Sequence, residues 1–206
     1  MPDPNPSFFP VRLCDLCGLC GEIRGGRAGN IVVSYLSMSN VTFARATPGD
    51  IPLLQALAGQ IWRAHYPGII SVEQIEYMLD GMYAADVIDQ EMRAGTCWEL
   101  IRDGKEAVGF LSYSLDHTAA RLKLHKLYVL VERHGQGLGR AGLTRVMEVA
   151  AALGAREVSL YVNKKNQKAI RAYERAGFVV AESVTNEIGA GFVMDDHRMV
   201  ARCTRK

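Results

Sequence analysis

Histidine is scarce in this chain, and cysteine is poorly distributed for cross-linking. The five histidines begin only at His65, so Cys14, Cys17 and Cys20 have no fourth nitrogen or sulfur ligand near them. A structural zinc site needs four such ligands, which disfavours a metal or iron–sulfur reading of that short run. Five cysteines, an odd number with three crowded together, do not make a disulfide framework and point to a reducing, cytoplasmic setting. Charge of one sign is also missing: a formal net charge of +2 offers no bulk field to nucleic acid or an anionic membrane. No apolar run reaches the roughly 18 residues of a membrane-spanning helix. The opening residues carry Asp3 and four prolines and lack a basic start with an apolar core, so they do not read as a secretory leader. No internal repeat is visible.

What is present suits one domain: 206 residues, 49% of them hydrophobic, are enough for a substantial core. Residues 1–39 differ in kind from the rest, rich in proline and glycine without periodicity, and read as a flexible, disordered extension; Met38 is a candidate alternative start. The folded domain is expected over residues 40–203. It opens with a strand, Val41 to Ala46, then a helix from Ile51 to about His65 with Leu54, Leu57, Ala58, Ile61 and Trp62 on one face. A second helix follows Ser71 and a third covers Ala85 to Ala94. Cys97 to Arg102 and Ala107 to Ser114 read as a hairpin turned at Asp103-Gly104.

The chemistry concentrates between Leu122 and Phe178. A strand, Leu122 to Leu130, runs into His134-Gly135-Gln136-Gly137-Leu138-Gly139-Arg140, and a helix follows from Arg140 to Leu153, stopped by Gly154. A second strand, Glu157 to Asn163, leads through Lys164-Lys165-Asn166 into a helix, Gln167 to Ala176, closed by Gly177. A last strand pair is expected, turning around Asn186 to Gly191. Glycines at alternate positions before a helix let backbone amides approach an anion such as a phosphate. Arg133, Arg140, Arg145, Lys164, Lys165, Lys168 and Arg171 gather around these two turns. Taken singly, each feature is equally well explained by a flexible turn or a solvated charged face. Gly137 to Gly142 also fits G-x-G-x-x-G, yet Asn163 and Lys164 stand where a dinucleotide fold needs an acidic residue. Neither a Gly-Lys-Ser/Thr ending nor a G-x-S-x-G elbow occurs.

In their order and spacing, LYV, HGQGLG, LYVNKKN and AIRAYERAGF resemble the acetyl-coenzyme A binding core of the GNAT superfamily of N-acetyltransferases. The likeness covers Val41 to Ala201 in outline and Leu122 to Phe178 in detail. It implies an α/β (α+β) fold with a mixed, mostly antiparallel central sheet of about seven strands flanked by helices on both faces. It also implies acetyl-CoA as co-substrate, without a metal, held by Leu127, Tyr128 and Val129, by His134 through Arg140 (Gly135, Gln136, Gly137, Leu138 and Gly139 between them), and by Asn166 and Ala169. His134 stands where the family usually carries Arg or Gln. Tyr173, the tyrosine of the Ala169 to Phe178 pattern, is the implied general acid.

An acceptor amine with an ordinary pKa near ~10.4 is neutral only about one part in 10³ at pH 7, roughly 4 to 5 kcal/mol from reactive, so a base is needed. His125 on the central strand is the expected base, with Asp196, Glu99 and His117 as alternatives. Leu127 to Val129 would offer free amides if a bulge released them from the sheet. Tyr66, Glu73, Tyr77 and Asp196 are the expected substrate contacts. IWRAHYPGIISVEQIEYML with GAGFVMDDHRM resembles a branch that includes polyamine acetylating members, so a small amine, with a polyamine among the options, is the expected acceptor. A protein or peptide N-terminus, or a regulatory module that binds acyl-CoA without catalysis, is the alternative. Dimers are common in such folds, and a homodimer is an open expectation.

Overall fold

The computed structural model describes residues 40–203 of the chain. The expected N-terminal extension, with Cys14, Cys17 and Cys20, lies outside the described residues.

Seven strands form one sheet: β1 (Val41–Arg45), β2 (Cys97–Asp103), β3 (Glu106–Asp116), β4 (Arg121–Val129), β5 (Glu157–Asn163), β6 (Val179–Gly189) and β7 (Phe192–Arg202), in the spatial order β1-β2-β3-β4-β5-β7-β6. Every neighbouring pair is antiparallel except β4 and β5, which run parallel. A parallel pair needs a crossover, and helix α4 (Leu138–Ala152) provides it. The mixed, mostly antiparallel architecture expected from the sequence is the one observed.

Helices cover both faces. On one, α1 (Ile51–His65), α2 (Val72–Met82) and α3 (Ala85–Arg93) pack Leu54, Ile61, Trp62, Ile75 and Ile88 against Trp98, Leu100 and Phe110 of the sheet. On the other, Leu143, Val146 and Ala150 of α4 and Ile170 of α5 (Gln167–Arg175) meet Leu122, Leu124, Val158 and Leu160. The apolar stripe of α1 explains its helix, and Ser71 caps α2 by accepting from the Gln74 N–H. α3 is fastened through a buried ion pair: Lys126 of β4, only 4% exposed, donates to both Glu91 oxygens at 3.0 and 3.2 Å. Its ammonium also lies 4.6 Å from the Trp98 ring centre.

Two boundaries differ from the sequence reading. α4 starts at Leu138 rather than Arg140, because Gly137 already takes the left-handed conformation, φ 81°, that opens the helix. β6 continues to Gly189, and the expected broad turn narrows to Ala190-Gly191, both at positive φ (49° and 78°), as a tight hairpin requires. Among the described residues, no helix is long and apolar enough to cross a membrane.

β3 and β4 approach closely at Gly109, where an added Cβ would sit 2.3 Å from the Tyr128 carbonyl oxygen. That oxygen belongs to the backbone and cannot swing aside. Gly109→Ala is expected to destabilise the fold by about 1–3 kcal/mol, read from denaturant unfolding; an unchanged midpoint would refute this account of the β3–β4 contact.

Candidate functional site

The site begins where β4 and β5 separate. Their parallel ladder runs only from Arg121↔Glu157 to Leu124↔Leu160. At the same point the β3–β4 register shifts: Ser112 faces Lys126 and Tyr113 faces Leu124, so His125 has no opposite residue. Beyond this bulge the Leu130 N–H donates to the Val108 carbonyl at 2.9 Å. By the two-residue alternation of an antiparallel ladder, the N–H groups of Leu127 and Val129 face away from β3, toward the gap that β5 has left. The bulge thus lies two residues earlier than the amides it was expected to free, and the departure of β5 is what opens them.

The glycine turn sits beside this gap. The Ala141 N–H makes the first helical bond, to the Gly137 carbonyl at 2.9 Å, and Gly137 has no side chain to cap the turn. The amides of Leu138, Gly139 and Arg140 therefore lack intrahelical partners and point outward with the positive end of the helix dipole. Gly135 and Gln136 are exposed in the turn, and the Leu138 side chain is buried in the core below it. Gly142, one turn on, lets α4 settle on β4: a Cβ there would fall 2.6 Å from Leu127 Cδ1.

A polar web ties the turn to α5 and α1. Asn166 caps α5 by accepting from the Ala169 N–H at 3.2 Å, and its Nδ2 meets His65 Nε2 at 3.1 Å. His134 Nε2 meets the Val129 carbonyl at 3.0 Å, which makes that nitrogen the donor and leaves Nδ1 to accept from Lys168 Nζ, also at 3.0 Å. Burial, then His134 and Lys168, lower the His65 pKa. The links to His65 and from Lys168 to His134 were not anticipated. Their only sequence signal is the presence of these polar residues at the end of one helix and the start of another.

An aromatic wall faces the web. The Tyr66 and Tyr128 hydroxyls are 3.2 Å apart, and Trp62 Nε1 donates to the Tyr83 hydroxyl at 3.1 Å. Burial, then Tyr128, raises the Tyr66 pKa well above its ordinary value, with smaller contributions from Tyr173 and Asp196. Burial pushes the Tyr173 phenol up to about 12, so it stays protonated at physiological pH.

Asp196 of β7 pairs with Asn163 at the end of β5 and is 7% exposed. Its Oδ1 is buried with no hydrogen-bond partner. Burial, and then Asp195, raise its pKa from the usual 3.8 to about 6, partly opposed by Lys164.

Three expected site residues are placed otherwise. The His125 ring is held by Ser114 Oγ at 2.8 Å, and desolvation by its surroundings, then Lys123 and Lys126, push it down to about 3. Exposed on β4 and weakened in this way, it is poorly suited to draw a proton from an ammonium. Glu73 lies exposed in the first turn of α2, its pKa lowered by its own backbone N–H and then by Ser71, and serves the helix start. The Tyr77 hydroxyl donates to the Ile188 carbonyl at 2.6 Å and its ring packs on Phe192, which fastens α2 to the β6–β7 hairpin.

The family model described as the acetyltransferase (GNAT) family matches residues 60–178. An uncharacterized N-acetyltransferase of Mycobacterium bovis is 42% identical over 69 residues, 34% of this chain and 44% of that protein. The chain thus matches under half the length of this relative. A spermidine N(1)-acetyltransferase of Thermoplasma acidophilum is 24% identical over 151 residues, 71% of this chain and 90% of that one. Among solved structures, PaiA N-acetyltransferase from Thermoplasma acidophilum in complex with coenzyme A has a TM-score of 0.67 at 22% identity, covering 79% of this chain and 98% of that one, a likeness of fold.

The raised pKa of Asp196 has a consequence for stability. Below pH 3.8 the folded and unfolded chains both hold this proton and no penalty arises; between 3.8 and about 6 the fold must increasingly accommodate a buried charge, and above 6 the cost is complete. Asp196→Asn is therefore expected to stabilise the protein by up to about 3 kcal/mol at pH 8 and by much less near pH 4, measured by urea unfolding at the two pH values.

Proposed function

Since the chain belongs to the acetyltransferase (GNAT) family, we propose that it moves an acetyl group from acetyl-CoA to the primary amine of a small molecule, by direct attack in a ternary complex. The observation that carries this reading is the parting of β4 from β5 after Leu124, with the Leu127 and Val129 amides turned into the gap. Acetyl-CoA brings an activated thioester carbonyl and a thiolate leaving group. The residues present fit it: open amides at Leu138, Gly139 and Arg140 suit its phosphates, those of Leu127 and Val129 suit the amide-bearing arm, and Lys168 adds a cation beside the turn. His134 positions that lysine and is itself held to the Val129 carbonyl. Asn166 and Ala169 fix the start of α5 against the same gap.

Tyr173 is the proton donor in this reading. Its phenol, pushed up to about 12, keeps its proton until a strong acceptor appears beside it, and the burial that raises it also raises the proton affinity of a departing thiolate. Neither a nucleophilic serine nor a covalent enzyme intermediate is required, since the amine itself attacks. The acceptor side is formed by Tyr66, Tyr128 and Asp196, a wall with aromatic faces and one carboxylate, which suits a small amine carrying positive charge. The similarity to a spermidine acetyltransferase supports a polyamine-like acceptor.

Titration calorimetry is expected to show acetyl-CoA binding, and coenzyme A release is expected with a panel of small amines. Tyr173→Phe should lower kcat by about 10²-fold with acetyl-CoA affinity unchanged. Absence of any binding heat would overturn the proposed function, and full activity in the phenylalanine variant would remove Tyr173 from it.

A further inference from the structure

We propose that Asp196 is the group that receives the acceptor's ammonium and takes its proton, and that the acceptor is consequently an amine that is cationic in solution. The proposal rests on acetyl transfer as the reaction and adds the base and the substrate class.

Geometry supplies the first argument. A carboxylate 93% removed from solvent, as its 7% exposure implies, normally has both oxygens satisfied, yet Oδ1 has no partner. The groups around it leave that oxygen unanswered. On β7, Asp195 is engaged by Lys164, just after β5, and by Thr185 of β6, and Arg198 gives its Nε to Glu182 of β6. At the end of α1, Tyr66 shares its hydroxyl contact with Tyr128. Among the described residues, Lys164 is the cation whose charge acts on Asp196, and it is bonded to the neighbouring aspartate. A buried, uncompensated carboxylate is costly unless a ligand supplies the missing donor. An ammonium supplies three.

The second argument is place. Asp196 lies across from Asn163, the last residue of β5, beyond the point where that strand has parted from β4.

The third argument is chemical fitness. Burial strengthens Asp196 as a proton acceptor, whereas the His125 imidazole is weakened to about 3. The step balances: the N–H bond of the ammonium breaks and its proton goes to Asp196, the amine nitrogen bonds to the thioester carbonyl carbon, and the carbon–sulfur bond breaks. Tyr173 gives its proton to the sulfur, the second proton leaves the acylated nitrogen and restores the Tyr173 phenol through water, and the proton on Asp196 returns to water.

The test uses the full chain with acetyl-CoA and 1,4-diaminobutane. For the wild type, kcat/KM is expected to fall below about pH 6, where Asp196 becomes protonated. In Asp196→Asn, kcat should drop by about 10²-fold or more and the acidic limb should vanish, while acetyl-CoA affinity stays within twofold by calorimetry. Urea unfolding of the same variant at pH 8 shows that it is folded. Transfer by the wild type with an unaffected asparagine variant, or a limb retained in it, overturns the role of Asp196 and leaves the proposed function standing. Should the wild type acetylate no amine, carbon-detected NMR of the Asp196 carboxyl decides independently. A titration midpoint lowered by one pH unit or more on adding 1,4-diaminobutane supports the amine site, and an unmoved midpoint overturns it.

Discussion

The parallel pairing of β4 with β5 covers four residue pairs and then stops, and this short ladder governs the rest of the site. Two strands that run the same way must be joined across the sheet, which puts the glycine turn and α4 at the point of parting. Two strands that diverge leave backbone donors without a sheet partner at Leu127 and Val129. The bulge at His125 falls at the same level and reorients β4, so that Tyr128 reaches the aromatic wall while Leu127 lies under α4. A fully zipped pair would remove the gap and its donors together.

Around this gap the protein spends polar groups in the interior unevenly. Lys126 with Glu91 is a buried ion pair and Arg145 with Glu99 a half-buried one; both hold helices to the sheet with their hydrogen bonds made. Their value lies in fixing α3 and α4 at one position, since a buried pair with complete bonds is neutral to modest in stability yet costly to break. Asp196 is the contrast: buried, one oxygen unmatched, next to tyrosines raised by the same dry surroundings. Well-matched pairs support the frame, and an unmatched acid stands where the frame opens.

Much of the frame was legible in the sequence because local chemistry decides it. The stripe of α1, the Ser71 cap, the glycines before α4 and the Asn166 entry to α5 all work through neighbours a few residues away. What required the fold was distant pairing. Asp195 and Asp196 are identical and adjacent, yet they project to opposite faces of β7: one is exposed and bonded to Lys164 and Thr185, the other buried without a partner for Oδ1. Only the register against β5 separates them. His125 suits a base by residue type and strand position, but desolvation, then Lys123 and Lys126, lower its basicity. Tyr77 and Glu73 looked like substrate contacts because of their composition, whereas contact with the hairpin and the helix start uses them structurally.

The attachment of α2 to the β6–β7 hairpin is made by Tyr77 to the Ile188 carbonyl and by Gln74 to the Val193 carbonyl. Both anchors end on main-chain oxygen, so neither commits the identity of the hairpin residue that it grips. The exposed Val193 side chain can therefore be exchanged while the hairpin keeps its station, so this position is free to diversify its chemistry, whereas Ile188 also packs on the core.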